Sequence, residues 1–217
     1  MANYCITKYW VEGELTALAK LATHIGEGRD VTEILPKMGM PFSELSFREE
    51  GCPYWYNAGI SDGILSFTEE AKWEQSKCLW KLRDTEESGI SDIRYYSVVS
   101  ESGFYQTNDA DGKYFPYRVS VFCADVPDSD PPHFYVVSED NTFLFRTKED
   151  MLSYFTRHFG WSARTEGELR CLAEKDGYCL YAEEIEVVSG PLHLGINKMK
   201  FDFERGDDGI VHVTIKE

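Results

Sequence analysis

Ile64 to Asp109, ILSFTEEAKWEQSKCLWKLRDTEESGISDIRYYSVVSESGFYQTND, is the stretch that decides how this chain folds. Ile64, Ser66 and Thr68 alternate with Leu65 and Phe67, the period of a strand with one buried face. Lys77, Cys78, Leu79, Trp80 and Leu82 then fall at helical spacing, and Ile93 to Val99 returns to a β-rich run. The stretch is strand, helix, strand.

Upstream, Cys5 to Val11 is β-branched and aromatic, which predicts another strand. Gly13 opens a helix whose Leu15, Leu18, Leu21, Ala22 and Ile25 share one stripe, with Gly26 and Gly28 closing it. Val31 to Met38 reads as a further helical turn stopped by Pro36, and Pro41 to Gly51 as an irregular connection. Tyr54 to Ile60 predicts a strand paired through the turn Ser61-Asp62-Gly63 with the strand at Ile64. The order βα then ββαβ is the split β-α-β arrangement of ferredoxin-like sheets. The fold class expected is α+β: a ferredoxin-like antiparallel sheet carrying the helices Glu14 to Ile25 and Glu74 to Glu86 on one face, then a second, smaller α+β region.

Several of these residues carry a family likeness. Met1-Ala2-Asn3-Tyr4-Cys5 leads into a strand and Gly13, and the Trp55 strand follows. Leu65-Ser66-Phe67 then runs to Lys72-Trp73, and the Tyr95 strand to Glu101-Ser102-Gly103-Phe104. In order and spacing the first half resembles the YubB-type ferredoxin-like domain family of phage and plasmid proteins. It departs in having Tyr4 where that family tends to show Trp, and Glu74-Gln75-Ser76 where a proline-rich helix start is usual. The resemblance implies a fold and a mobile-element setting. The family has no established activity, so no catalytic residue carries over.

Downstream, Tyr114 to Ala124 predicts a strand, and Asp125-Val126-Pro127-Asp128-Ser129-Asp130-Pro131-Pro132 has the prolines and acids of a linker. The expected organisation is therefore a domain over residues 1–124, a linker over 125–132 and a second region over 133–217. The second region opens with a hairpin, Phe134 to Ser138 and Thr142 to Arg146. Thr147-Lys148-Glu149-Asp150 and Thr165-Glu166-Gly167-Glu168 resemble capping boxes and start two helices. Tyr178 to Val188 predicts a strand, and Phe201 and Phe203 alternating with charges predict one half of a hairpin completed by Ile210 to Ile215.

Composition limits the partners. A formal net charge of −16, spread over both halves, repels phosphate backbones and anionic lipid heads, and no basic patch offsets it. Nucleic acid and membrane are excluded as expected partners. Met1 to Tyr9 shows no export signal and no apolar run approaches a membrane span, so the expected location is cytoplasmic. The six cysteines form no CxxC pair, and free thiols are expected.

The search for chemistry returns no motif. Asn108-Asp109-Ala110-Asp111-Gly112 has the look of a calcium loop, but an EF-hand frame on that glycine puts Arg118 where the bidentate glutamate belongs. Asp125, Asp128, Asp130 and His133 sit in the linker-like run, where solvated side chains are the simpler reading. No histidine pair has zinc-hydrolase spacing, no glycine pattern cradles phosphate, and no signature surrounds a cysteine. Glu69-Glu70 and Glu183-Glu184 are adjacent in strands, so each pair splits between faces. No catalytic residue, cofactor or metal is expected.

The remaining enrichment is aromatic, at 14% Phe, Trp and Tyr. Adjacent aromatics on a strand cannot all be buried, which makes Tyr54, Tyr56, Tyr114 and Tyr117 the candidate protein-binding residues. The reading drawn from this is an accessory protein that binds another protein, a basic one being the candidate, through an acidic, tyrosine-bearing surface. The alternative is an enzyme whose site is assembled between the two halves from residues without a local motif.

Overall fold

A computed structural model of the chain describes residues 4–27, 31–40, 53–72, 76–85, 88–99, 104–125 and 141–190 with their side chains, and 200–205 and 211–216 by backbone alone. In chain order the elements are β1 (Tyr4–Gly13), α1 (Leu15–Gly26), α2 (Val31–Lys37), β2 (Tyr54–Ser61), β3 (Ile64–Lys72), α3 (Cys78–Arg83), β4 (Ile90–Val99) and β5 (Phe104–Thr107). They continue as β6 (Val119–Asp125), β7 (Thr142–Phe145), α4 (Lys148–Phe159), α5 (Glu166–Lys175), β8 (Tyr178–Glu184), β9 (Glu186–Val187), β10 (Lys200–Arg205) and β11 (Val211–Lys216).

The first four strands lie in the order β2-β3-β1-β4 with every neighbour antiparallel. This is the ferredoxin-like order, two split β-α-β units interleaved. Strand alternation sends Cys5, Thr7, Tyr9 and Val11 inward, and Leu18, Leu21 and Ile25 of α1, Ile34 and Leu35 of α2 and Leu79 and Leu82 of α3 bury against that face. The three helices thus share one side of the sheet, as the strand order predicts. Gly13 makes the β1-α1 corner possible: a Cβ there would sit 2.2 Å from the Gly89 carbonyl oxygen, which instead accepts a 2.7 Å hydrogen bond from the Glu14 N–H.

Two boundaries differ from the sequence reading for local reasons. Helix α2 carries Pro36 inside its last turn, and the Met38 and Met40 N–H groups close it by donating to Ile34 and Leu35 carbonyls. In the run from Tyr114 to Ala124 strand begins only at Val119, as Val119–Asp125; Tyr114 to Arg118 is irregular. Of the helix expected over Glu74 to Glu86, Cys78–Arg83 is helical, and residues 74, 75, 86 and 87 lie outside the described set. So do residues 126–140, which hold nearly all of the expected linker and the first arm of the expected hairpin.

Strand β6 is the centre of a second sheet, β7-β6-β8. Helices α4 and α5 pack on one of its faces through Met151, Phe155, Leu169 and Ala173. Both have the threonine caps read from sequence. Thr147 Oγ1 accepts from the Asp150 N–H at 3.1 Å and Thr165 Oγ1 from the Glu168 N–H at 3.2 Å. Gly160 then ends α4 in the left-handed region at φ 75°.

Strand pairing also runs across the position where the sequence places a linker. β9 adds to β5 in parallel, so the larger sheet has six strands, β2-β3-β1-β4-β5-β9. A third cluster joins the sheets: Trp10, Tyr96, Val98 and Tyr105 from the outer face of the larger one meet Leu144, Ile185, Phe115 and Tyr117. The layers run helices, sheet, sheet, helices. Phe115 is the pin between them, its ring 4.0 Å from Tyr96 and 6.3 Å from Trp10, centroid to centroid. β10 and β11 form the predicted antiparallel hairpin, Phe201 opposite Ile215. Cys5, Cys78, Cys123, Cys171 and Cys179 are free thiols, and Cys52 lies outside the described residues. Among the described residues no helix is long and apolar enough to cross a membrane.

Candidate functional site

The outer face of the larger sheet is set by the residues that alternate with the core. Two cross-strand rows lie on it. One runs Tyr56, Thr68, Lys8, Tyr96; the other runs Tyr54, Glu70, Ile6, Val98, Tyr105. The smaller sheet covers only the β4-β5 end of these rows, where Leu144 joins Tyr96 and Val98. Between the covered end and β2 a groove of about 530 Å³ remains. Its apolar bed is Ile6, Val98 and Leu144 with the rings of Tyr96 and Tyr105, and its polar lining is Lys8, Asn57, Ser66, Thr68 and Thr142. That size and mixture match a small-ligand cleft.

Asn57 owes its place in the lining to an irregularity. The β2-β3 register shifts between Tyr56 and Gly59, and Asn57 within that bulge has φ 56°. A bulge re-aims a side chain, and asparagine tolerates the left-handed region better than most residues.

The four candidate tyrosines divide into two pairs. Tyr54 is 49% exposed and its ring stacks on Tyr56 at 5.7 Å, so both stand on the outer face of β2 beside the groove. Tyr114 and Tyr117 are half-buried and occupied: Tyr114 stacks on Trp10 at 6.0 Å and donates its hydroxyl to Glu12 at 2.7 Å, and Tyr117 packs edge-on against Phe115 at 5.3 Å. Glu12 also takes Lys113 at 2.6 Å, and these two hydrogen bonds hold its carboxyl below the usual range.

The loop with the look of a calcium site is closed on itself. Asp109 is fully buried, and its carboxylate accepts the N–H groups of Lys113, Tyr114 and Phe115 at 3.2, 2.7 and 2.6 Å. The Arg118 guanidinium donates to the carbonyls of Asp109, Ala110, Phe115 and Tyr117. Both oxygens that would ligate a cation are already engaged, and the loop instead presents Phe115 to the outer face. Among the described residues no group of three or more His, Cys, Asp or Glu side chains converges as a metal site.

The inner face holds a polar group that the sequence reading missed. Glu69 is fully buried, while Glu70 is exposed. Trp55 Nε1 donates to Glu69 at 2.6 Å, Tyr9 Oη at 3.3 Å, and Ser76 through its N–H at 2.8 Å and its hydroxyl at 2.5 Å. Burial pushes the Glu69 carboxyl up, and these hydrogen bonds pull it part of the way back. Burial and then the neighbouring Glu69 push the Tyr9 hydroxyl well up. The signal for this site was present in the alternation: Leu65 and Phe67 inward require Glu69 inward two residues on. Thr7 and Ser97, opposite each other on the same face, share a 2.7 Å hydrogen bond.

The class these features define is a ferredoxin-like α+β sheet with its helices on one side and an open, grooved face on the other. The chain matches no family model, no curated protein and no solved structure.

Proposed function

We propose that this chain is a non-enzymatic accessory protein that acts by binding another protein through its acidic, aromatic-bearing surface. The observation that carries the reading is the Tyr54–Tyr56 stack, held out on the outer face of β2 in a chain of net charge −16. Paired tyrosines offer large, rigid contact area at low entropic cost. The surrounding negative field speeds encounter with a basic partner and opposes encounter with free nucleic acid. The resemblance of the first half to YubB-type domains supports a phage or plasmid setting, and a cytoplasmic location goes with it. Tyr114 and Tyr117 are committed to Trp10 and Phe115 at the covered end of the same face.

The enzyme reading has one observation in its favour, the groove between the two sheets. Its described lining has no histidine, cysteine or carboxylate to act as base or nucleophile. Binding is the use that such a lining supports.

Selection from a library of displayed random peptides tests the proposal. The expected consensus sets lysines or arginines around an apolar or aromatic residue, with affinity that falls as salt rises. The double variant Tyr54→Ala/Tyr56→Ala is expected to lose about tenfold or more in affinity, the range of an interface anchor. Peptides that bind the double variant as tightly as the parent, or a tight gel shift of DNA at physiological salt, would overturn it.

A further inference from the structure

The groove has an electrostatic character opposite to that of the molecule around it. Among its described lining residues Lys8 is the one charged side chain, in a chain carrying 38 acidic against 22 basic residues. Lys8 projects from the central strand β1, its Nζ 5.5 Å from the centroid of the Trp10 ring, and no described carboxylate lies within ion-pair distance of it. Asn57, Ser66 and Thr68 line the same space, and among the described residues their side chains make no hydrogen bond either. Arg94, on the same face, is already held by Asp92 at 2.7 Å. The groove therefore combines one ammonium without an ion-pair partner, three hydrogen-bonding side chains without partners and an apolar bed, with no acid among its described lining residues; Glu70, opposite Ile6 on the same face, lies outside that lining.

We propose that this groove binds a small amphipathic monoanion, an organic acid whose carboxylate sits on Lys8 and whose apolar body lies over Ile6, Val98 and Leu144. Lys8 supplies the charge-assisted hydrogen bond, and Asn57, Ser66 and Thr68 satisfy the remaining carboxylate lone pairs. A phosphate ester is a poorer fit. It brings nearly two negative charges to a single lysine inside an acidic field. This site is independent of the partner-binding reading, since neither Tyr54 nor Tyr56 lines it.

Titration calorimetry with octanoate, 4-phenylbutyrate and 1-octanol tests the assignment, with amide chemical shifts of the isotope-labelled protein locating the site. Octanoate or phenylbutyrate is expected to bind about tenfold tighter than octanol, the range of one charge-assisted hydrogen bond. The shifts should centre on Lys8, Thr68 and Tyr96. Lys8→Met keeps the length of the stem and removes the charge; it should reduce acid binding to the level of the alcohol while leaving the thermal midpoint in place. Val98→Phe, which fills the bed, should weaken acid and alcohol alike. The proposal fails if both acids bind the parent no better than octanol, if Lys8→Met retains the preference, or if the shifts fall away from the groove.

Discussion

The two faces of the six-stranded sheet are built from the same strands and hold their polar side chains differently. On the inner face the buried carboxylate of Glu69 has four donors, and Thr7 is paired with Ser97. On the outer face the side chains of Lys8, Asn57, Ser66 and Thr68 border a groove without making a hydrogen bond among the described residues. A polar group in a sealed core must be satisfied at once or the fold loses several kcal/mol, whereas one beside water can wait for a ligand. Register connects the faces: Glu69 is the next residue after Thr68, so one strand supplies both.

That contrast sets the order of expected mutational effects. Glu69→Ala orphans the Trp55, Tyr9 and Ser76 donors in a dry core and should cost ~3–5 kcal/mol in urea unfolding, the range for breaking a buried charged network. A cost under ~1 kcal/mol would mean that the inner face is wet. Phe115→Ala removes the ring between Tyr96 and Trp10 and should cost ~3 kcal/mol. The smaller sheet should loosen first, seen as faster amide exchange in β6 and β7 than in β1 and β3. Uniform exchange across both sheets would show instead that they unfold as one unit.

A smaller effect concerns pH. Because the folded Glu69 carboxyl is raised above its unfolded value, its contribution to stability is fully present below the usual carboxylate range and is lost as pH rises through the folded value. Glu12 and Glu184, whose carboxyls are lowered, act in the opposite sense, so the difference between parent and Glu69→Gln isolates the effect. The parent's stability relative to Glu69→Gln should fall between acid and neutral pH; a flat or rising difference would reverse the assignment. Smallest of all is Lys8→Met, which on the outer face should alter stability by no more than ~0.5 kcal/mol. A larger loss would place Lys8 in the structural network and remove it from the ligand-binding set.

The period-2 pattern around Ile64 to Thr68 and the helical spacing after Lys77 were enough to give the ferredoxin-like strand order and put the helices on one side. Both threonine caps were legible, because a cap is a local event with a local signature. What stayed hidden depends on distant pairing. Glu186 and Val187 carry no sign that they will dock beside Gln106 and Thr107, and Tyr114 to Arg118 has strand-like composition although Asp109 and Arg118 take up its backbone. The groove is invisible for the same reason, since Thr142 and Leu144 of its lining arrive with β7 from a distant part of the chain. Of the four tyrosines chosen from sequence, composition could not separate the stacked pair on β2, where Tyr54 is exposed and Tyr56 half-buried, from the pair that locks Trp10 and Phe115 in place.

The bulge that turns Asn57 toward the groove has a second consequence at the rim of the molecule. β2 is an outermost strand, and a smooth outermost strand is a template on which a second chain can zip up and seed aggregates. The register shift between Tyr56 and Gly59 divides its ladder into two short runs, Tyr54 to Tyr56 and Gly59 to Ser61, too brief to hold an incoming strand. At the opposite rim β9 is two residues long. Straightening β2 by deleting one residue of the bulge is the change most apt to turn this chain into one that precipitates.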